Sequence, residues 1–220
     1  MTSISCSRAK SPPARGDELR ALLWCNGQQP SATVFEGLIE GANCFGVDGG
    51  ADRAAEAGYE IEQVLGDLDS TDSNRWRDRT HELADQSSSD LAKSLSLLIE
   101  RGYTEIDIVG SDGGSTSHFL GSWAALCEAP PGAAIRLHHE DSVTHRVHPQ
   151  DGEREFTVKS GGEFSVFALS PCLSVHLHGA RWELDGAPMS LSTEGLHNVG
   201  SGESVHIRAD GVLVVIVPRD

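Results

Sequence analysis

The chain has 220 residues with a hydrophobic share of 38% and 24 glycines, a composition typical of a turn-rich globular protein. Its formal charge is −16, from 33 acidic and 17 basic side chains, which argues against binding to nucleic acid or to an anionic membrane surface. A nucleotide polyphosphate is still compatible with this charge, because a divalent cation between carboxylates and phosphates reverses the local field.

The N-terminal residues and the cysteines indicate a cytoplasmic location. Residues 1–16 lack the apolar segment of a secretion signal, and we expect a disordered tail there. No apolar run in the sequence reaches the length that crosses a membrane. The five cysteines are scattered and lack Cys-x-x-Cys spacing, as is usual for thiols in a reducing compartment.

Residues 17–140 predict an α/β domain. From Leu19 onward, short apolar runs alternate with helical patterns, including a helix in which Leu91, Leu95 and Leu98 recur at helical spacing. Parallel strands are joined by helical crossovers, so this rhythm favours a Rossmann-like parallel sheet covered by helices.

Residues 146–220 predict a second, β-rich domain. After about Asp141, short alternating runs separated by turn residues replace the helical pattern. This texture indicates an antiparallel β-sandwich or small barrel. We place the boundary between the domains near Asp141–Gln150, where charged, His- and Pro-containing residues interrupt the apolar pattern.

Acidic residues follow one of the predicted strands of the first domain. In an open parallel sheet, ligands bind beyond the carboxyl ends of the strands. Asp67 and Asp69 are two residues apart, which in an extended segment places both carboxylates on one side, about 7 Å apart at the backbone. Such a pair suits Mg²⁺, which is commonly held by carboxylates and substrate phosphates. The alternative is that Asp69 or Ser70 only caps the next helix.

Two glycine pairs follow other predicted strands. Gly49 and Gly50 come directly after Asp48, and Gly113 and Gly114 come after the strand that ends in the sequence IDIVG. Glycines permit sharp turns and close approach of the backbone to a ligand, and exposed N–H groups there suit a phosphate. Each pair is equally compatible with a plain turn.

The segment around Ser89 predicts the start of an amphipathic helix. Ser89 is the expected N-cap, Asp90 lies in the first turn, and Lys93 shares the face of Asp90. An acid and a lysine at a helix N-terminus suit a metal–phosphate complex. A capped surface helix with an ion pair explains the same pattern.

Two other kinds of active site find no support in the sequence. The ten histidines show none of the ligand spacings of a zinc enzyme. A Gly-x-Ser-x-Gly elbow is also absent, which argues against a hydrolase with a Ser-His-Asp triad.

The order of these motifs resembles the thiamin pyrophosphokinase family, from Leu19 to Pro218. The family pattern runs Asp-Gly-Gly-Ala, Gly-Asp-x-Asp-Ser, Ser/Thr-Asp-x-x-Lys, a strand with a Gly-Gly turn, and a β-rich domain. In this chain the motifs are Asp48–Ala51, Gly66–Ser70, Ser89–Lys93, the Gly113–Gly114 turn and the segment from Asp141 onward.

The resemblance implies a Mg²⁺-dependent transfer of a pyrophosphoryl group from ATP to the hydroxyl of thiamine, giving thiamine pyrophosphate and AMP. It implies Mg²⁺ ligands at Asp67, Asp69 and Asp90. Asp48 would position or deprotonate the hydroxyl, and Lys93 would reach a phosphate. The implied contacts to the nucleotide are Gly49, Gly50, Ser70, Gly113, Gly114 and His118.

The second domain carries a further part of the resemblance. The segment Gly179–Leu184 is similar to the family's Gly-Leu-Lys-Trp-x-Leu, and Asn198 stands where a Ser-Asn pair precedes the last strands. Trp182 and Asn198 are therefore the implied thiamine contacts. A homodimer that shares the thiamine site between subunits is also implied. Without the resemblance, a tryptophan in the core is the preferred interpretation of Trp182.

One turn departs from the family pattern. Arg-x-Asp-His usually follows the Gly-Gly turn, whereas this chain has serines at Ser115 and Ser117 before His118. The departure keeps two alternatives open: a kinase or pyrophosphokinase for another small alcohol, and a non-catalytic regulator that binds nucleotide or thiamine.

Overall fold

The computed structural model of the chain describes residues 19–67 and 73–219. The predicted tail, residues 1–16, lies outside the described residues. The chain divides between Glu140 and Asp141 into two compact units, which we call the α/β unit and the β unit.

The α/β unit alternates strands and helices along the chain. Its strands are β1 (Leu19–Trp24), β2 (Asn43–Val47), β3 (Gln63–Gly66), β4 (Thr80–Glu82), β5 (Tyr103–Val109) and β6 (Ala134–His138). Its helices are α1 (Ala32–Ile39), α2 (Gly50–Glu56), α3 (Ser73–Trp76), α4 (Asp90–Glu100) and α5 (Thr116–Glu128). The strands pair in parallel in the order β6-β5-β1-β2-β3-β4, which confirms the predicted parallel sheet.

Strand β1 lies between β5 and β2 and is buried along most of its length. Its residues from Ala21 to Trp24 are fully shielded from solvent, as expected of an apolar run with a strand on each side. The Trp24 ring packs against Phe35 of α1 at 5.1 Å and against Tyr59 at 5.6 Å. Such ring pairs contribute about 1 kcal/mol each beyond the area that they bury, and they fix α1 against the sheet.

Helix α4 forms where its pattern predicts. Ser89 is the N-cap, and its side chain accepts a hydrogen bond from the Ala92 N–H at 3.2 Å. Leu91, Leu95 and Leu98 are buried together on one face. The cap satisfies one backbone donor of the first turn, and the next residue, an aspartate, complements the helix dipole.

A buried ionic group stabilises β5 and β6. Asp107 accepts hydrogen bonds from His138 at 2.7 Å and from Arg136 at 2.6 Å, and Arg136 also pairs with Glu105. Burial alone would raise the pKa of Asp107, but the hydrogen bonds from His138 and Arg136 hold it well below its ordinary value. Breaking such a buried pair leaves an uncompensated charge, so the pairing of β5 with β6 accounts for these charged side chains.

The β unit contains strands and one short 3₁₀ helix (Pro149–Asp151) in its described part. Its strands are β7 (Ser142–Val147), β8 (Arg154–Thr157), β9 (Glu163–Ala168), β10 (Cys172–His178), β11 (Leu184–Met189), β12 (Asn198–Val199), β13 (Ser204–Ala209) and β14 (Leu213–Pro218). All pair antiparallel, in the orders β12-β9-β14-β7 and β11-β10-β13-β8. One hydrophobic cluster takes side chains from both sets of strands, among them Phe164, Val175, Ile207 and Val215.

The observed class is a mixed α/β protein with a parallel sheet and antiparallel sheets, as the sequence predicts. Among the described residues, none of the helices has the length and apolar character needed to cross a membrane. Two of the acidic motifs follow strands of the parallel sheet, with Asp48 after β2 and Asp67 after β3.

Candidate active site

Three carboxylates meet at the carboxyl edge of the parallel sheet. Asp48 follows β2, Asp67 follows β3, and Asp90 is the first residue of α4. One oxygen of each carboxylate lies within 4.8 Å of an oxygen from the other two, and all three residues are half-buried. The part of the chain that the structure describes holds one such group. Like charges this close repel one another, so the arrangement suits a bound cation.

The position of Asp48 depends on an unusual backbone. Its φ is +45°, a conformation that few residues other than glycine adopt, and its N–H donates to the Leu65 carbonyl at 3.0 Å. A Cβ at Gly66 would lie 1.9 Å from Asp48 Oδ1, so only glycine leaves room for this carboxylate beside Asp67. Gly66 is the first residue of the Gly-Asp-x-Asp-Ser motif, but its steric role beside Asp48 is not readable in the sequence.

Lys93 lies beside the carboxylates but is engaged with protein atoms. Its ammonium pairs with Asp90 Oδ1 at 2.7 Å and donates to the carbonyls of Leu83 at 2.8 Å and Asp85 at 2.7 Å. The ammonium thus makes two hydrogen bonds and one ion pair with protein atoms. Lys93 therefore fastens the segment after β4 to α4 in this structure, a contact that its spacing from Asp90 does not reveal.

The segment before α4 adds a further polar contact to this edge. Gln86 Nε2 donates to Asp67 Oδ2 at 3.4 Å. Asp85 accepts from the hydroxyl and the N–H of Ser87, and these hydrogen bonds lower its pKa. The segment between β4 and α4 is thus held in place by hydrogen bonds among its own residues and by those from Lys93.

The first glycine pair has an explanation in packing. A Cβ at Gly50 would lie 2.0 Å from the Trp24 carbonyl oxygen, so the glycine allows α2 to approach β1. Gly49 precedes α2 with an ordinary helical φ of −57°. The predicted contact of these glycines with phosphate remains a prediction, since close packing alone accounts for Gly50.

The second glycine pair forms a left-handed turn after β5. Gly113 and Gly114 have φ values of +70° and +69°. The next residue, Ser115, is the N-cap of α5, and its hydroxyl accepts from the His118 N–H at 3.3 Å. His118 and Ser117 are exposed in the first turn of α5. The serine at 115, which departs from the family pattern, thus has a local structural role.

An open cleft of about 600 Å³ lies next to this turn. Its walls come from the loop after β1, from α2 and from the glycine turn. The lining residues are Asn26, Gly27, Gln28, Gln29, Arg53, Glu56, Ala57 and Gly114. Apart from Gly114 none of these was singled out in the sequence, since single polar residues in separate loops carry no motif.

Two predicted site residues cannot be placed. Asp69 and Ser70 lie outside the described residues. Their predicted roles, a Mg²⁺ ligand and a nucleotide contact, therefore remain predictions.

Trp182 and Asn198 lie together in the β unit. The Trp182 side chain is 57% exposed, so it is not the core tryptophan that the sequence alone favours. The Arg181 guanidinium carbon lies over its ring, 5.4 Å from the centroid. Asn198 is buried, accepts from the N–H groups of Trp182 and Val199, and donates to the Trp182 carbonyl. Its amide thus fixes the backbone that presents the indole.

Comparison with known proteins identifies the family. Residues 38–137 match the profile described as thiamin pyrophosphokinase, catalytic domain. This chain carries the catalytic domain of the thiamin pyrophosphokinase family. The match spans Asp48, Asp67 and Asp90, and it confirms the family and the enzyme class, thiamine diphosphokinase, that the motifs predict. No curated protein sequence matches the chain.

Solved structures share the fold. Thiamine pyrophosphokinase from Bacillus subtilis superposes with a TM-score of 0.73 at 22% identity, over 91% of this chain and 99% of that one. Thiamin pyrophosphokinase from Candida albicans gives 0.72 at 14% identity, over 100% and 98%. The yeast enzyme gives 0.71 at 15% identity, over 93% and 87%. At these identities the likeness concerns the fold.

Proposed function

We propose that this protein transfers a pyrophosphoryl group from ATP to the hydroxyl of thiamine and releases AMP. The observation that carries the proposal is the group of three carboxylates within 4.8 Å at the carboxyl edge of the sheet. This edge is where open parallel sheets bind their ligands, and the group lies within the segment that matches the catalytic domain.

The donor set of this group fits Mg²⁺. The ion prefers oxygen ligands and usually combines one or two carboxylates with substrate phosphates. Asp48, Asp67 and Asp90 would hold it, with Asp69 as a further ligand. When bound, Mg²⁺ would neutralise charge on the transferred phosphates. Because Asp48 lies within the carboxylate group, we assign it to the metal and not to a separate role as general base.

The other residues of the edge organise the site. Lys93 binds Asp90 and two carbonyls, so it holds Asp90, a proposed metal ligand, and the adjoining loop in fixed positions. Gly66 keeps space for the Asp48 carboxylate. Phosphoryl transfer depends on alignment more than on covalent chemistry by the protein, and a rigid frame of this kind supplies alignment.

At the level of units, we propose a Rossmann-like module for the nucleotide and a β-sandwich that supplies Trp182 for thiamine. A flat indole suits the stacking of an aromatic or cationic ring. The enzyme would act as a homodimer in the cytoplasm. The cysteines in the described part of the chain, Cys25, Cys44, Cys127 and Cys172, are not in disulfides, in keeping with a reducing compartment.

The decisive experiment is a product analysis. Purified protein with ATP, Mg²⁺ and thiamine is expected to give thiamine pyrophosphate and AMP in equal amounts, and chelation of the metal should abolish both. Release of ADP with thiamine monophosphate would instead identify a simple kinase. Absence of any product, with ATP binding retained, would identify a non-catalytic binder.

A further inference from the structure

One antiparallel sheet of the β unit carries a row of ionisable side chains on its outward face. In the order β11-β10-β13-β8, His178 of β10 pairs directly with His206 of β13, and His206 pairs directly with Glu155 of β8. Successive side chains of a strand point to opposite faces. The adjacent residues Leu177 and Ile207 are buried in the hydrophobic cluster, so the side chains of the row point away from the core.

The register places two imidazoles within reach of one ion. Residues directly opposite in an antiparallel pair have Cβ atoms about 4.5–5.5 Å apart. Two nitrogen ligands of a tetrahedral Zn²⁺, each bonded at about 2.0–2.1 Å, lie roughly 3.3 Å from one another. His178 and His206 can therefore bind the same ion across the two strands. No local spacing in the sequence reveals this pair, because it depends on the register of the sheet.

A carboxylate lies at each end of the imidazole pair. Glu155 Oε1 is 3.8 Å from His206 Nε2, and Glu183 Oε2 is 3.9 Å from His178 Nδ1. Glu183 is also tied to the backbone, since its Oε1 accepts from the Gly179 N–H at 2.8 Å. Glu155 is therefore the carboxylate better placed to turn toward an ion between the imidazoles.

Ordinary ion pairing does not account for the two facing imidazoles. The side chains of His178 and His206 are 50% and 38% exposed, and their distances to the glutamates exceed that of a hydrogen bond. Ion pairs this exposed contribute little to stability. Two histidines directly opposite one another also repel when both are protonated. The fold thus gains little from this row, whereas a bound cation would use its geometry.

Binding requires the side chains to turn. Among the residues that the structure describes, the three carboxylates of the candidate active site are the set with ligand atoms within 4.8 Å of one another. The imidazoles must therefore rotate to share an ion, and His206 must give up its contact with the Ser204 hydroxyl at 3.1 Å. Exposed side chains change rotamer within nanoseconds. The backbone register, which sets the reach of the ligands, need not change.

We propose that His178, His206 and Glu155 form a binding site for Zn²⁺ on the outward face of this sheet, with water in the fourth position. Zn²⁺ takes imidazole and carboxylate ligands in tetrahedral geometry, whereas Mg²⁺ prefers oxygen ligands alone. An ion held by β10, β13 and β8 would stabilise the β unit, since it binds the folded chain and joins three strands. The inference is independent of the proposed function.

Calorimetric titration of the full chain with Zn²⁺ tests the site, in excess Mg²⁺ to occupy the carboxylate group. His178→Gln and His206→Gln should each raise the Kd at least about tenfold, the lower end of the loss from removing a residue that only supports a ligand. The double variant should lose little more, because both residues serve one ion. The matched control is His197→Asn, an exposed imidazole 3.4 Å from Glu163 at a left-handed φ that asparagine tolerates. It should leave the Kd within about twofold.

The melting temperature gives a second measurement. Zn²⁺ should raise it for the wild-type and His197→Asn proteins, and not for His178→Gln or His206→Gln. Melting temperatures without Zn²⁺ verify that each variant folds. Failure of the wild-type protein to bind Zn²⁺, or an unchanged Kd in folded His178→Gln protein, would overturn the inference. An equal loss in His197→Asn would also overturn it, by showing adventitious binding to surface histidines only.

Discussion

At the scale of single residues, the carboxylate group combines function with a cost in stability. Asp48, Asp67 and Asp90 are brought within 4.8 Å of one another from three separate segments, and the Lys93 ammonium pairs with Asp90. Functional sites commonly retain such repulsion because the ligand relieves it. Removal of one of these charges should therefore lower the activity, but it should not lower the stability of the metal-free protein.

Asp67→Asn tests this trade-off. The substitution keeps the volume and removes one like charge, so activity should fall by at least about 100-fold, the scale of losing one strong electrostatic contact. In the presence of chelator, the melting temperature should stay equal or rise. The corresponding gain in the free energy of unfolding is up to about 1 kcal/mol. Asp78→Asn, at an exposed position, is the matched control and should alter neither. Near-normal activity of Asp67→Asn at limiting Mg²⁺ would refute the assignment.

Asn198 should act on thiamine through Trp182. Truncation to Ala leaves the partly buried N–H and carbonyl of Trp182 without their partner, at a cost of about 1 kcal/mol. We expect Asn198→Ala to raise the KM for thiamine more than it lowers kcat. In a Trp182→Ala background the same change should have little further effect on KM, because the residue that it positions is gone. Additive effects in this double-mutant cycle would instead indicate direct contact with thiamine.

At the scale of elements, the changed turn before α5 gives a prediction of stability. Ser115 caps α5, so Ser115→Ala should destabilise the protein by about 1 kcal/mol, whereas Ser115→Asp retains an acceptor and should not.

The paired change Ser115→Arg with Ser117→Asp restores the family residues and removes the cap. For this double variant, the KM values for thiamine and ATP should change only modestly, while the melting temperature should fall. A large gain in kcat would show that the serines impair this enzyme or adapt it to another acceptor.

The elements themselves could be predicted because each depends on a local pattern. The apolar run of β1 and the spacing of Leu91, Leu95 and Leu98 are readable in the sequence, and Ser89 is a cap in the structure as predicted. Contacts between segments that lie far apart in the sequence could not be predicted from it. The steric need for Gly66 depends on the Asp48 carboxylate, and the cleft depends on loops more than 80 residues apart that meet only in the folded sheet.

At the scale of the whole molecule, the net charge of −16 opposes the binding of an anionic substrate such as ATP. The structure concentrates three of the acids in one place, where a bound divalent cation would convert them into a site for phosphate. Polyphosphate binding should therefore be strictly dependent on the metal. In the proposed function thiamine binds a different surface, where the exposed indole of Trp182 would offer an apolar face for its rings.

The last prediction concerns the active unit. If the enzyme is a homodimer in which Trp182 of one subunit serves the carboxylates of the other, Trp182→Ala and Asp67→Asn proteins should complement each other. Each protein alone should be nearly inactive. After random exchange of subunits, half of the dimers are mixed and each has one intact site, so activity should recover to about a quarter of wild type. Recovery is measured as thiamine pyrophosphate formed, and exchange is verified with two differently labelled proteins. Verified exchange without recovery would place both residues in the same subunit's site or remove Trp182 from it.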